Sequence, residues 1–210
     1  MIKKNLKTLI ITSIITLLPI LAGLYLWDKL PAQMPVHFGA NGEPDRFASK
    51  EFAVFSLPAI LVALQWIMVA YMGADPKKKN LSDKMVLISL WIVPLVSLLG
   101  NGITYLYLSY ESVNIITIST LFLGATLLVI GNYMPKMKQT YTVGIKLPWT
   151  LNSEENWYRT HRFAGAVFML AGLGVLVAGF TEQIWLVLAI IFVAAIIPSV
   201  YSFVLYKKGI

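Results

Sequence analysis

The sequence predicts an all-α, polytopic membrane protein with six transmembrane helices and both termini in the cytoplasm. Three observations predict it. First, 58% of the 210 residues are hydrophobic and 13% are charged, against about 45–50% and about 25% in a soluble domain. Second, the apolar residues fall into six runs that contain no Asp, Glu, Lys, Arg or His: Thr8–Trp27, Phe52–Met72, Met85–Tyr107, Ile115–Tyr133, Phe163–Phe180 and Ile184–Leu205. A bilayer core takes about 20 residues as helix. A helix also keeps its backbone hydrogen bonds internal, where lipid offers no partner. Third, the cations are sorted by side. With the N-terminus inside, only Lys29, Arg46 and Lys50 of the 17 Lys and Arg residues fall outside. That bias fixes the orientation.

The net charge of +7 therefore reads as topology and contact with the anionic lipid bilayer, with no direct role for nucleic acid. The chain has no cysteine, which excludes disulfides, thiolate nucleophiles and Cys-ligated metals. The first run follows Lys3, Lys4 and Lys7 and is longer than the roughly 7–15 residues of a signal-peptide core. No small-x-small cleavage pattern follows it, so an uncleaved first helix is expected.

Between the first and second runs lies Asp28–Glu51, DKLPAQMPVHFGANGEPDRFASKE. It is longer than a connection needs, and long loops in compact domains are usually functional or disordered. Pro31 and Pro35 favour an extended start. Val36 and Phe38 alternate with His37 as in a short strand, and Asn41-Gly42 signals a tight turn. Pro44-Asp45 then directs the chain to the second run. A small folded cap, a hairpin, is expected on the outer surface. His37 suits pH sensing or ligand contact, or simple packing in that hairpin.

Gly73–Lys84 is a basic inner turn in which Asp75-Pro76 favours a break. Ser82 or Asp83 can cap the third helix. Leu108–Asn114 and Thr181–Gln183 are short outer connectors. A division along the chain follows at this turn: residues 1–74, two spans and the outer loop, then residues 75–210, four spans and the inner loop Met134–Arg162. Within the spans Gln65 and Asn101 suit helix bridging. Pro19, Pro58, Pro94 and Pro198 suit kinks, and Ala171, Gly174 and Ala178 form a small-residue stripe.

The inner loop carries the densest pattern. Asn132 and Pro135 stop the fourth helix, and Gly144 permits a turn. Ile145, Leu147 and Trp149 suit the interface. Asn152 is the expected N-cap of the fifth long helix, with Glu155 three residues later. On that helix Trp157, His161 and Gly165 share one face, and Glu155 and Arg159 form an i, i+4 ion pair. His161 beside Arg162 suits a phosphate, a lipid headgroup or an acidic protein surface. It equally suits an anchor that sets helix depth with Trp157 and Tyr158. Spans without ionisable residues argue against ion-coupled transport. No metal-ligand spacing, cofactor motif or catalytic constellation appears, so the chain reads as a non-enzyme with no cofactor and no metal.

Asn132, Pro135-Lys136, Lys138, Gly144-Ile145-Lys146, Pro148-Trp149-Thr150-Leu151, Ser153, Trp157 and Thr160-His161-Arg162 together resemble the signature of the SdpI family. These multi-pass membrane proteins are named for an immunity protein against a secreted sporulation-delaying toxin. Leu30-Pro31, Pro35, His37-Phe38, Gly42 and Pro44-Asp45 resemble that family's N-terminal module of uncharacterised function. Two positions depart from the pattern: Thr140 stands where Asn is expected, and Leu147 where Thr is expected.

The resemblance implies an integral membrane immunity protein that protects its cell from an extracellular toxin peptide. It also implies a receptor that sequesters a cytoplasmic winged-helix repressor and so induces its own expression. On that reading the outer residues His37, Phe38, Gly42, Pro44 and Asp45 meet the toxin. The inner residues Asn132, Pro135, Lys136, Gly144, Pro148, Trp149, Trp157, His161 and Arg162 meet the repressor. The competing reading is a transporter or exporter of a hydrophobic peptide or small molecule. Neighbouring genes for a small secreted peptide and a winged-helix regulator would favour the first.

Reporter fusions at Asn41 and Gln139 test the topology. The first is expected to report outside and the second inside. The same side for both would overturn the orientation.

Overall fold

The computed structural model describes residues 2–110, 113–181 and 183–210. Parts of the two short outer connectors, Glu111, Ser112 and Glu182, lie outside the described residues. Among the described residues, six helices are long and apolar enough to cross a membrane. They are α1 (Ile2–Tyr25), α2 (Leu57–Ala74), α3 (Asp83–Ser109), α4 (Ile115–Tyr133), α6 (Glu154–Gly179) and α7 (Ile184–Lys207). A hairpin of β1 (Gln33–Phe38) and β2 (Pro44–Ser49) follows α1, and a short helix α5 (Pro148–Asn152) precedes α6. The expected all-α polytopic architecture is present, with the expected hairpin added.

The chain forms two compact units. The first comprises Met1–Gly73 and Val86–Ile115, the second Ala74–Met85 and Ile116–Ile210. Packing thus interleaves the chain where the linear division cuts it once. Most of α3 joins α1, the hairpin and α2, although it follows the basic turn in sequence.

In the first unit, Gln65 is fully buried and bridges three helices. Its Nε2 donates to Thr12 Oγ1 at 2.9 Å and to the Leu90 carbonyl at 2.8 Å. Trp66 Nε1 donates to Ser13 Oγ at 3.1 Å, and Ser97 Oγ donates to the Thr16 carbonyl at 2.8 Å. The helix-bridging role read for Gln65 holds. Asn101 instead donates to Ser97 one turn back on its own helix.

The hairpin seats on this unit through Met34, buried with Leu30, Ala53, Val54 and Tyr105. Its strands are antiparallel with a bulge near His37. The Asn41-Gly42 turn is part of a five-residue loop, closed by the Gly39 N–H donating to the Glu43 carbonyl at 2.8 Å. Asn41 Oδ1 accepts from the Glu43 N–H, and Gly42 takes φ 78°. A left-handed residue is cheap only as glycine.

In the second unit, α4 and α6 approach through glycine. A Cβ at Gly124 would stand 2.9 Å from the Gly172 carbonyl, and one at Gly131 would stand 2.9 Å from the Gly165 carbonyl. Such backbone contact maximises dispersion where lipid gives no hydrophobic drive. The predicted stripe works differently from expectation. Ala171 and Ala178 are buried, but Gly174 faces Ile190 of α7 at ordinary contact distance. The close approach belongs to Gly165 and Gly172, seven residues apart.

Two helix starts test the capping readings. Ser82 Oγ accepts from the Met85 N–H and caps α3 as expected. For α6 the cap is Ser153, whose Oγ accepts from the Asn156 N–H at 3.1 Å. Asn152 instead ends α5. The physical reason is Pro148, which starts a separate turn of helix and leaves Ser153 as the extended residue between the two.

Gly172→Ala forces a methyl against backbone and is expected to cost about 1–3 kcal/mol. Gly174→Ala meets only side-chain atoms and is expected to stay within about 0.5 kcal/mol. Thermal unfolding in detergent checks the pair.

Candidate functional site

The inner loop has no helix or strand from Met137 to Leu147. Its backbone groups must therefore find partners elsewhere, because a buried unpaired N–H or C=O is costly. Side chains provide them. Asp75 is buried, and its Oδ2 accepts from the Tyr141 N–H, the Thr142 N–H and the Thr142 hydroxyl at 2.9, 2.9 and 2.8 Å. Its Oδ1 accepts from the Lys77 N–H at 2.7 Å. One carboxylate thus ties the basic turn to the loop.

Gln139 is a second tie. Its Nε2 donates to the Thr150 and Leu151 carbonyls at 2.7 and 3.0 Å. Its Oε1 takes the Lys77 ammonium, and its carbonyl accepts from Asn80 Nδ2. Thr150 Oγ1 accepts from the Leu147 N–H and donates to the Ile145 carbonyl. Thr140, one of the departures from the family pattern, clamps a local turn by donating to the Val143 carbonyl at 2.7 Å.

Trp157 and His161 form the centre. They are 2% and 1% exposed, so neither is a surface anchor. Their rings stack with centroids 4.0 Å apart. Trp157 Nε1 donates to the Met137 carbonyl at 2.9 Å. His161 Nδ1 lies 2.9 Å from the Trp157 carbonyl, and Nε2 accepts from the Ile145 N–H at 2.9 Å. The neutral ring with its proton on Nδ1 satisfies both contacts. Both nitrogens are occupied by backbone, which leaves the ring no free position for a phosphate or a carboxylate. Gly144 lies against the pair at φ +123°, and a Cβ there would stand 2.6 Å from His161 Nε2 and from Trp157 Cη2. Gly144, Trp157 and His161 are thus brought together as the loop's packed centre.

The other predicted inner residues take different places. Trp149 Nε1 donates to Ser202 Oγ at 2.7 Å, and its ring stacks on Tyr206 of α7. Asn132, Pro135, Lys136, Pro148 and Arg162 are exposed. Arg162 Nη1 reaches Tyr158 Oη at 3.3 Å. The expected Glu155–Arg159 ion pair is present at 2.5 Å.

On the hairpin, His37 Nδ1 lies 2.5 Å from Asp45 Oδ1, with both side chains about half exposed. Phe38 is half-buried, edge-on to Tyr107 at 5.3 Å. Gly42 shapes the loop and Pro44 begins β2. Sequence reading missed Phe47, 57% exposed on β2. It also missed Asp75 and Asn156. Asn156 is buried and donates from Nδ2 to the Ser202 and Ile210 carbonyls. The signal for Asn156 was its place three residues after Ser153. Asp75 gave none beyond a turn.

The chain matches the SdpI/YfhL protein family over residues 136–202 and a domain of unknown function, DUF1648, over residues 14–62. It is 30% identical to "Immunity protein SdpI" of Bacillus subtilis (strain 168), an alignment covering 98% of this chain and 97% of that protein. The chain belongs to the SdpI/YfhL protein family. With its six apolar helices it is a multi-pass membrane protein. An "Uncharacterized protein" of Archaeoglobus fulgidus is 38% identical over 79 residues, 35% of this chain and 41% of that protein. No solved structure matches the chain. The SdpI/YfhL match contains the Trp157–His161 centre and the contacts of Trp149 and Asn156 with Ser202. Asp75 lies outside both matched segments.

Hydrogen bonds to a charged group contribute about 1.5–3 kcal/mol. Asp75→Asn turns an amide donor towards three donors. It is expected to speed hydrogen exchange at the Tyr141 and Thr142 amides at least about tenfold, with exchange in α7 unchanged. Hydrogen-exchange mass spectrometry reads both.

Proposed function

We propose that this chain is a membrane immunity protein that protects its cell against an extracellular antimicrobial peptide. The observation that carries the reading is similarity to an immunity protein along 98% of the chain. The architecture supports it. By the sorting of cations, the hairpin faces the medium and the inner loop faces the cytoplasm. The hairpin is a folded surface rather than a slack connection. It presents the His37–Asp45 pair, Arg46 and Phe47, which combine charge with an exposed aromatic ring. Aromatic residues and arginine are the side chains that dominate protein interfaces.

The finer part of the proposal is signalling. The inner loop engages a cytoplasmic winged-helix repressor, and its sequestration induces the protein's own expression. Among the motif residues, Trp157, His161 and Gly144 build the loop. The exposed Asn132, Pro148 and Arg162 provide contact. Arginine offers a planar, bidentate fork to a carboxylate, which lysine cannot reproduce.

One experiment reads both halves. Variants expressed at equal membrane levels in a toxin-sensitive host are challenged with the peptide while a reporter follows induction. Phe47→Ala and the pair His37→Ala/Asp45→Ala are expected to lower survival at least tenfold. Exposed ion pairs contribute only about 0.2–1 kcal/mol, so folding should not account for the loss. Arg162→Lys is expected to keep protection and lose induction. Full survival of the hairpin variants would remove the hairpin from toxin recognition, and normal induction in Arg162→Lys would remove Arg162 from signalling.

A further inference from the structure

A cleft of about 540 Å³ opens in the second unit between the chain that follows α4 and the first turns of α6. Small-molecule sites typically span about 300–1,000 Å³. Its floor is chemically closed. Gln139 and Trp157 are buried, and their polar atoms are engaged by Lys77, Met137, Thr150 and Leu151. Its rim is open. Lys136, Lys138 and Glu154 line the cleft with exposed side chains. None of these three side chains makes a hydrogen bond or ion pair with another described residue. By contrast, Lys77, Lys50 and Lys146 each donate to a carbonyl or amide oxygen.

The cleft's depth constrains its ligand. The apolar span that begins at Ile115 ends at Lys136, so the rim lies at headgroup level on the side that carries the cations. Pro135 and Met137 supply an apolar wall, and Tyr158 adds an aromatic ring of the type enriched at that level. Topology alone requires positive charge on this side. It does not require two lysines and a carboxylate around one cleft.

We propose that this cleft binds the headgroup of an anionic phospholipid. The phosphate diester lies between the Lys136 and Lys138 ammonium groups. Glu154, which would repel the phosphate, accepts a hydrogen bond from a hydroxyl or ammonium of the headgroup. Pro135 and Met137 meet the glycerol backbone and the first acyl carbons. The proposal stands independently of toxin protection and of repressor binding. A soluble phosphate ester shares this chemistry, and the test separates it from lipid.

The full chain is placed in phosphatidylcholine nanodiscs doped with phosphatidylglycerol, and retained lipid is counted by native mass spectrometry. Phosphatidylglycerol is expected to be retained at least fivefold over phosphatidylcholine. Lys136→Gln/Lys138→Gln is expected to abolish that preference. The control Lys79→Gln/Lys208→Gln, which removes two exposed inner cations outside the cleft, is expected to keep it. Glu154→Ala, which removes the acceptor, is expected to erase any preference for phosphatidylglycerol over phosphatidylmethanol, a diester without a headgroup donor. An unchanged cleft variant, or equal losses in cleft and control variants, would overturn the site in favour of diffuse charge attraction. Displacement of the lipid by millimolar glycerol phosphate would overturn the lipid as ligand in favour of a soluble ester. An unaltered headgroup preference in Glu154→Ala would overturn the role of Glu154.

Discussion

An irregular backbone packed among helices must take its hydrogen bonds from side chains, and this constraint organises the second unit. Between Met137 and Leu147 no ladder is available. Asp75, Asn80, Thr140, Thr150, Trp157 and His161 supply the missing partners, each to a main-chain N–H or carbonyl. Among the described residues, every buried side-chain nitrogen and oxygen has a partner. A network in this state is rigid, and losing one member strands another at full desolvation cost.

This changes what the family motif means. A motif rich in Trp, His and Gly invites a reading as a binding surface. Here its most distinctive members are interior. Trp157 and His161 stack, and Gly144 is glycine because a side chain would strike both rings. Gly165 is glycine because its Cβ would meet Pro135 and the Gly131 carbonyl. These residues hold the shape of the loop. Its exposed members, Lys136, Lys138, Glu154, Tyr158 and Arg162, are less distinctive as sequence.

The first unit solves a different problem. Its helices bury little charge, so their mutual orientation rests on a few uncharged polar groups. Gln65 reaches two other helices, and Tyr105 Oη donates to the Pro19 carbonyl at 3.1 Å. Gly23 allows Val54 and Tyr105 to close on α1. The hairpin is secured by Met34 beneath it and by Lys50, whose ammonium donates to the Trp27 carbonyl and lies 4.5 Å over the Trp27 ring. Its other face remains free to present Phe47 and the His37–Asp45 pair.

The spans, the hairpin and the continuous α6 were legible in the sequence, because each rests on a local or periodic signal: apolar length, turn residues and capping. The Ser82 cap and the Glu155–Arg159 pair were legible for the same reason, being three and four residues apart. The α6 cap was misplaced by one residue because Pro148 starts a helix that the local pattern did not distinguish. Tertiary structure alone decided that Asp75 grips Tyr141 and Thr142, 66 and 67 residues away. It likewise turned Trp157 and His161 inward, gave the close α4–α6 approach to Gly165 and Gly172, and left a cleft rimmed by Lys136, Lys138 and Glu154. Sequence spacing along one helix shows which side chains share a face. What that face meets depends on how other segments fold back, and no local pattern encodes that distance.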